Sequence, residues 1–311
     1  ALLLRYDNRS RIPVDRCGAF VAPSHGPLMP HTGHVGAFEV RSYPPGLLLR
    51  YAASGHPGAV PEFVDDPLLF AIYNEHAGWE RVLAMNCVGR LNETIDRGRI
   101  RDVIHVAEAL QNKKLARIAE DIGGRGGRVR LALIAGPSSS GKTTLARKLS
   151  IELQVLGRDP VPLSVDDYFL PRDRTPLGPN GKPDFEALEA VDVELLNEHL
   201  RLLLQGQAVD LPRYDFRTGS RETGGSRLQL TDSSILIVEG IHALNDRLTP
   251  VVAREAKYKI YVSAITQLAL DNYARIPTTD NRLIRRMVRD HQYRGHSALQ
   301  TLRMWPSVRS G

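Results

Sequence analysis

Residues 131–144 read Leu131-Ala-Leu-Ile-Ala135-Gly136-Pro-Ser138-Ser139-Ser140-Gly141-Lys142-Thr143-Thr144. A short apolar run, bounded by glycine, fits a buried strand of a parallel sheet. Gly136 and Gly141-Lys142-Thr143 then match G-x-x-x-x-G-K-[ST], and a helical pattern over Leu145–Leu156 follows at once. Strand, glycine-rich loop and helix in that order make a phosphate-binding loop. Its backbone N–H groups and the helix N-terminus suit a polyphosphate. Gly136, Ser138, Ser139, Ser140, Gly141, Lys142, Thr143 and Thr144 are the expected contacts. Lys142 supplies a point charge for β- and γ-phosphates, and the Thr143 hydroxyl is placed to hold Mg²⁺.

Outward from this loop, apolar strands are expected at Leu131–Ala135, Val161–Val165, Ile235–Val238 and Tyr258–Val262, with helical patterns between them. Alternation of that kind predicts an α/β domain, a parallel sheet covered by helices on both faces. Val191–Leu204 puts Leu196, Leu200 and Leu203 on one stripe, which reads as packing. Upstream, residues 1–52 carry short β-like runs at Cys17–Val21, Ala37–Val40 and Leu47–Tyr51. Helical spacing marks Asp66–Ala84 and Arg101–Glu120. The glycine- and arginine-rich stretch Asp121–Arg128 is the expected hinge, giving segments 1–52, 53–128 and 129–311. The expected arrangement is thus a smaller α+β domain preceding the α/β domain.

The chain has 311 residues, enough for two domains with real cores, and a formal net charge of +6. Its arginines are dispersed, so the charge reads as a solvated surface plus a phosphate site; RNA is a possible but unfavoured partner. No apolar run has transmembrane length, which argues against a membrane. Cys17 and Cys87 are too few for a disulfide framework, so a reducing cytoplasm is expected. His25, His31 and His34 share a loop, but their spacing matches no zinc pattern.

Further candidates follow the strands. Ser164-Val-Asp166-Asp167-Tyr168-Phe169 stands at the carboxyl end of the second strand, where ligands meet an open parallel sheet. Asp166 can there accept a proton from an attacking hydroxyl. Ile235-Leu-Ile-Val-Glu239 puts an acid at the end of an apolar strand, a second oxygen for Mg²⁺. Arg282, Arg285, Arg286 and Arg289 recur at i, i+3, i+4 and i+7, one helix face of guanidinium groups, with Leu283, Ile284, Met287 and Val288 opposite. Adjacent like charges repel unless an anion sits among them. A transferring phosphoryl group is such an anion, so this segment is expected to be a lid. Lys182-Pro-Asp184-Phe185-Glu186 and Leu211-Pro-Arg213-Tyr214-Asp215-Phe216 place carboxylates and aromatics in loops suited to an acceptor molecule.

Taken in order, these motifs resemble the uridine kinase and phosphoribulokinase family of P-loop kinases, over roughly Val129–Gly311. The resemblance implies a P-loop NTPase-type fold and transfer of phosphate from ATP or GTP, with Mg²⁺, to a hydroxyl of a small-molecule nucleoside substrate. It implies Asp166 as catalytic base, Lys142, Arg282, Arg286 and Arg289 as catalytic cations, and Thr143 and Glu239 as metal holders. Tyr168, Asp184, Glu186, Tyr214 and Arg285 join Asp166 on the acceptor. Glu186 falls where uridine kinases hold ribose hydroxyls, and Tyr214 where they contact the base. The pyrimidine-contacting histidine of uridine kinases is replaced by Gly219 in Thr218-Gly219-Ser220-Arg221. That change keeps a second acceptor class open, a sugar phosphate or pantothenate-like compound. The family's further strand after the lid helices has no counterpart here, so a truncated sheet is expected; a homo-oligomer is possible.

Residues 1–52 resemble part of the threonyl-tRNA synthetase editing domain, through Arg16-Cys17-Gly18-Ala19-Phe20-Val21 and Gly26-Pro27-Leu28-Met29-Pro30-His31-Thr32-Gly33. Where the synthetases flank that Gly-Pro with Cys and His, Ser24 and Leu28 stand here, so editing chemistry is not expected. The pairing leaves one rival of another class, a nucleotide-dependent, translation-associated RNA-binding protein.

Overall fold

The computed structural model describes all residues except 1–4, 7–10, 25, 53–55, 57, 179–180, 182, 216–217, 223–224, 266–267, 272–273 and 311. His25, Lys182 and Phe216 of the sequence motifs therefore lie outside the described residues. Two compact units emerge: Ala1–Arg101 with Gln267–Arg275, and Asp102–Thr266 with Ile276–Gly311.

In the first unit, strands β1 (Val14–Cys17) and β2 (Phe20–Pro23) form one antiparallel hairpin, and β3 (Phe38–Tyr43) and β4 (Gly46–Tyr51) another. The expected Cys17–Val21 strand is instead split between β1 and β2, because Gly18 adopts φ +61° and reverses the chain between Cys17 and Phe20. Helix α1 (Pro67–Leu83) starts with proline at its first position, and the Asp66 carboxylate accepts from Leu69 N at 3.0 Å. A short helix, α2 (Val88–Asp96), lies beyond the expected pattern.

The second unit starts within α3 (Ile100–Gly124). Leu115, Ala119 and Ile122 of this helix are buried against Ala132, Ile134, Leu149 and Leu153. The first half of the expected hinge is consequently helix, and the division falls in the first turn of α3 rather than after it. Strands β5 (Leu131–Ala135), β6 (Asp159–Ser164), β11 (Ser234–Glu239) and β12 (Lys257–Tyr261) form a parallel sheet ordered β12-β5-β11-β6.

Alternate side chains explain why these strands are apolar throughout. Leu131, Leu133, Leu236 and Val238 enter one core with Leu196, Leu200 and Leu203 of α5 (Val193–Leu204). Ala132, Ile134, Ile235 and Ile237 enter the other, with α3 and α4 (Lys142–Val155). A strand buried on both faces has no polar alternation to show. Each fully buried leucine contributes about 1.5–3 kcal/mol relative to exposure, and the sheet is thereby fixed beneath the loops at its carboxyl edge. Two short ribbons complete this unit: β7 (Val209–Asp210) with β10 (Arg227–Leu228), and β8 (Arg213–Asp215) with β9 (Ser220–Glu222). Helices α6 (Thr278–Arg294) and α7 (Ala298–Ser310) follow the sheet. Among the described residues no helix is long and apolar enough to cross a membrane.

Candidate active site

The loop between β5 and α4 is shaped by residues that tolerate unusual backbone. Gly141 has φ +103° and Ser139 φ +63°. At Gly136 a Cβ would lie 2.1 Å from Val262 O and 2.8 Å from Ser140 Oγ, so only glycine fits. No side chain caps the first turn of α4, leaving its N–H groups for a ligand. Ser139 Oγ and Ser140 Oγ are buried without a protein hydrogen-bond partner. Lys142 Nζ donates to Gly136 O at 2.9 Å, folding the side chain back over the loop.

Beside the loop, the Thr143 hydroxyl donates to Glu239 Oε1 at 2.7 Å, across 96 residues of chain. The pairing follows from β5 and β11 being neighbours, with Glu239 in register with Ile134. A hydroxyl and a carboxylate at the phosphate loop form the hard oxygen set that suits Mg²⁺.

Asp166 sits in a single turn, Val165–Tyr168, that follows β6, with its N–H donating to Ser164 Oγ at 3.3 Å. Asp166 lines the central cavity. The protein crowded around it raises the carboxyl to about 6; Glu239 adds to the rise and Lys142 opposes it. The same crowding lowers Lys142, against the pull of Glu239 and Asp166. Burial also raises Glu186, with Arg286 and Lys142 opposing.

These groups line one cavity of about 880 Å³, in which Ser138, Ser139, Gly141, Lys142, Thr143, Thr144, Asp166 and Glu239 meet Phe169, Arg172, Phe185, Glu186 and Tyr214. Helix α6 adds Ile284, Arg285, Arg286, Val288, Arg289 and Arg294, and α7 adds Met304 and Val308. The aromatics of the cavity are mutually packed, Phe169 edge-on to Phe185 at 6.4 Å and to Tyr214 at 5.7 Å.

Several expectations need correction. Tyr168 does not face the cavity: it is 1% exposed, and its hydroxyl meets His199 Nδ1 at 3.0 Å in the core. Phe169 takes the cavity position. Asp184 closes a local turn, Oδ1 accepting from Glu186 N at 3.0 Å, and does not line the cavity. Arg282 is engaged by Ser138 O at 3.1 Å and stacks on Trp305, 5.4 Å from the ring centre. Arg285 donates to Ser139 O at 3.0 Å and Arg286 to Ser138 Oγ at 2.7 Å, so the arginine helix is seated on the phosphate loop. Ile284 and Val288, expected to pack away from the site, are 57% and 52% exposed and line it.

Arg294, Arg172 and His242 were not singled out by the spacing. Arg294 lies one turn beyond the regular arginine repeat, and Arg172 in an irregular loop. His242 Nε2 donates to Glu186 O at 2.8 Å, linking the turn after β11 to the Glu186 segment.

The profile of the Phosphoribulokinase / Uridine kinase family matches residues 132–309, more than half of the chain. The chain belongs to that family. The matched span contains every group of the cavity, from the phosphate loop to α7. Among curated relatives, a uridine kinase of Tolumonas auensis is 32% identical over 166 residues, 53% of this chain and 69% of the relative. One from Chloroflexus aurantiacus is 33% identical over 165 residues, with the same coverage of each chain. A possible uridine kinase from Bacillus stearothermophilus, of solved structure, is 28% identical, with a TM-score of 0.35; the match covers 43% of this chain and 70% of that one. Family membership makes the second unit a nucleotide-binding P-loop kinase, a phosphotransferase. The first unit lies outside the matched span, apart from Gln267–Arg275.

Proposed function

We propose that this family member transfers the γ-phosphoryl group of ATP or GTP to the 5′-hydroxyl of a nucleoside, in the manner of a uridine or cytidine kinase. The observation that carries this reading is the convergence of Lys142, the Thr143–Glu239 pair, Asp166 and the α6 arginines on one cavity. The phosphate loop and Lys142 hold the triphosphate. Thr143 and Glu239 are the residues that hold Mg²⁺, which supplies charge neutralisation at the phosphates when bound. Asp166 accepts the proton of the attacking hydroxyl. Its raised pKa makes it a better base than an ordinary carboxylate while leaving it ionised at neutral pH. Glu186 and the Phe169–Phe185–Tyr214 cluster hold the acceptor, its hydroxyls on the acid and its ring on the aromatics.

One observation favours a second acceptor class. Gly219 has φ +70°, and a Cβ there would lie 2.7 Å from Arg172 Nε. The Arg172 guanidinium thus stands where a side chain at 219 would begin, and left-handed backbone at this position disfavours the pyrimidine-reading histidine of uridine kinases. A non-pyrimidine hydroxyl compound, such as a sugar phosphate or a pantothenate-like molecule, is therefore the second reading. ADP release measured with Mg-ATP across nucleosides and such compounds separates the two.

A further inference from the structure

The α6 arginines pose an electrostatic problem, and the chain carries part of the answer within the same helix. Asp290 has 0% exposure. Its Oδ1 accepts from Arg289 Nη2 at 2.9 Å and Nε at 3.1 Å, and lies 3.5 Å from Arg294 Nη1. Its Oδ2 lies 3.2 Å from Arg286 Nε. Three guanidinium groups, at i−4, i−1 and i+4, therefore share one buried carboxylate. The Asp290 carbonyl accepts from Gly295 N and from His296 N, closing the end of α6 around the same residue. Arg282 and Arg285 are held differently, by the carbonyls of Ser138 and Ser139.

The five arginines thus divide by partner. Arg282 and Arg285 tie the helix to the phosphate loop. Arg286, Arg289 and Arg294 surround Asp290 and line the cavity, and Arg286 reaches both partners, since it also donates to Ser138 Oγ of the loop. We infer that Asp290 is a positioning residue for phosphoryl transfer, holding Arg286, Arg289 and Arg294 as a preassembled cationic cluster, with Arg294 a further member of the phosphoryl-facing set. The inference rests on the kinase reading above and deepens it. One carboxylate against three guanidinium groups leaves the cluster net positive. A fixed counter-ion lets like charges sit together before the phosphoryl group arrives, so little reorganisation is left for the reaction itself. Breaking such a buried set by neutralising its centre leaves the cations to repel one another and splay.

A purely structural ion pair would affect stability alone, so the test reads phosphoryl recognition directly. Affinity is measured by calorimetry for Mg-ADP and for Mg-ADP with aluminium fluoride, a mimic of the transferring group. The wild-type chain is expected to bind the mimic at least about tenfold more tightly than ADP alone. Asp290→Asn is expected to lose most of that gain while keeping ADP affinity within about threefold, and Arg294→Gln to lose part of it. Full retention of the gain in Asp290→Asn overturns the inference. Absence of any gain in the wild type contradicts the phosphoryl-transfer reading beneath it. Should Asp290→Asn fail to fold by circular dichroism, Arg289→Gln, Arg294→Gln and their double variant decide. Arginines sharing one carboxylate give non-additive losses, and strict additivity overturns the inference.

Discussion

The Thr143 hydroxyl and the Glu239 carboxylate meet at 2.7 Å, joining the first turn of α4 to the end of β11. The contact is available only because β5 and β11 are parallel neighbours, so the sheet order itself assembles an oxygen pair beside the phosphate loop. Thr143→Val and Glu239→Gln each remove one oxygen function with little change in volume. Both are expected to raise the Mg²⁺ concentration for half-maximal activity by about tenfold or more, since hard cations depend on charged and hydroxyl oxygens. A Mg²⁺ titration of ADP release measures it, and unchanged Mg²⁺ dependence in Glu239→Gln contradicts the assignment.

Asp166 links activity and stability with opposite signs. Its carboxyl is raised to about 6 chiefly by desolvation, so activity should fall as pH drops through about 6, where the base becomes protonated. For stability the sign reverses. The folded state binds this proton more tightly than the unfolded chain does. The stabilisation is therefore full below the ordinary carboxyl range near pH 4 and lost as pH rises through about 6. Asp166→Asn should abolish transfer, keep nucleotide affinity, and melt at a higher temperature than the wild type at pH 7.5. That advantage should vanish near pH 4. Calorimetric scans at the two pH values, beside a turnover assay, check both halves.

Gly136 tests the loop without touching a charge. A methyl group there meets Val262 O at 2.1 Å, well inside contact distance. Gly136→Ala should shift the loop, lower stability by about 1–3 kcal/mol and abolish nucleotide binding. Urea unfolding and nucleotide titration give the two readings; normal nucleotide affinity would contradict the account of the loop.

Gly219→His asks whether a base-reading histidine can be restored. Backbone at φ +70° disfavours any side chain with a Cβ, and the Arg172 guanidinium must move aside to admit one. The variant is expected to lose about 1–2 kcal/mol of stability and to gain no uridine turnover. Improved uridine kcat/KM in Gly219→His would show that the site is a uridine pocket after all.

The phosphate loop, the sheet and most cavity residues were legible because each depends on local chemistry. Gly136 and Gly141 answer backbone demands, and the runs at β5 and β11 are apolar because both faces are covered. What escaped was decided by tertiary packing. Tyr168 and Phe169 are adjacent aromatics, and only the fold determines that the first enters the core and the second the cavity. Ile284 and Val288 have core composition but line the site. Asp290 sits among arginines in sequence, and its role appears only when three of them are seen to converge on it. Helix α2 contains Gly89, Asn92 and Thr94, weak helix formers that conceal it. The glycines near Asp121–Arg128 suggested a hinge, whereas Leu115, Ala119 and Ile122 bind the preceding helix into the second core.

The central claim is that Asp166, Lys142 and the α6 arginines act together on a phosphoryl group passing from a nucleotide to a small hydroxyl acceptor. The most direct measurement is ADP release with Mg-ATP across a panel of nucleosides, sugar phosphates and pantothenate-like compounds, for the wild type and for Asp166→Asn. Release stimulated by at least one nucleoside in the wild type, and absent in Asp166→Asn, is the predicted result. Release that no acceptor stimulates, or that persists at full rate in Asp166→Asn, would contradict the claim and turn attention to nucleotide-dependent RNA binding.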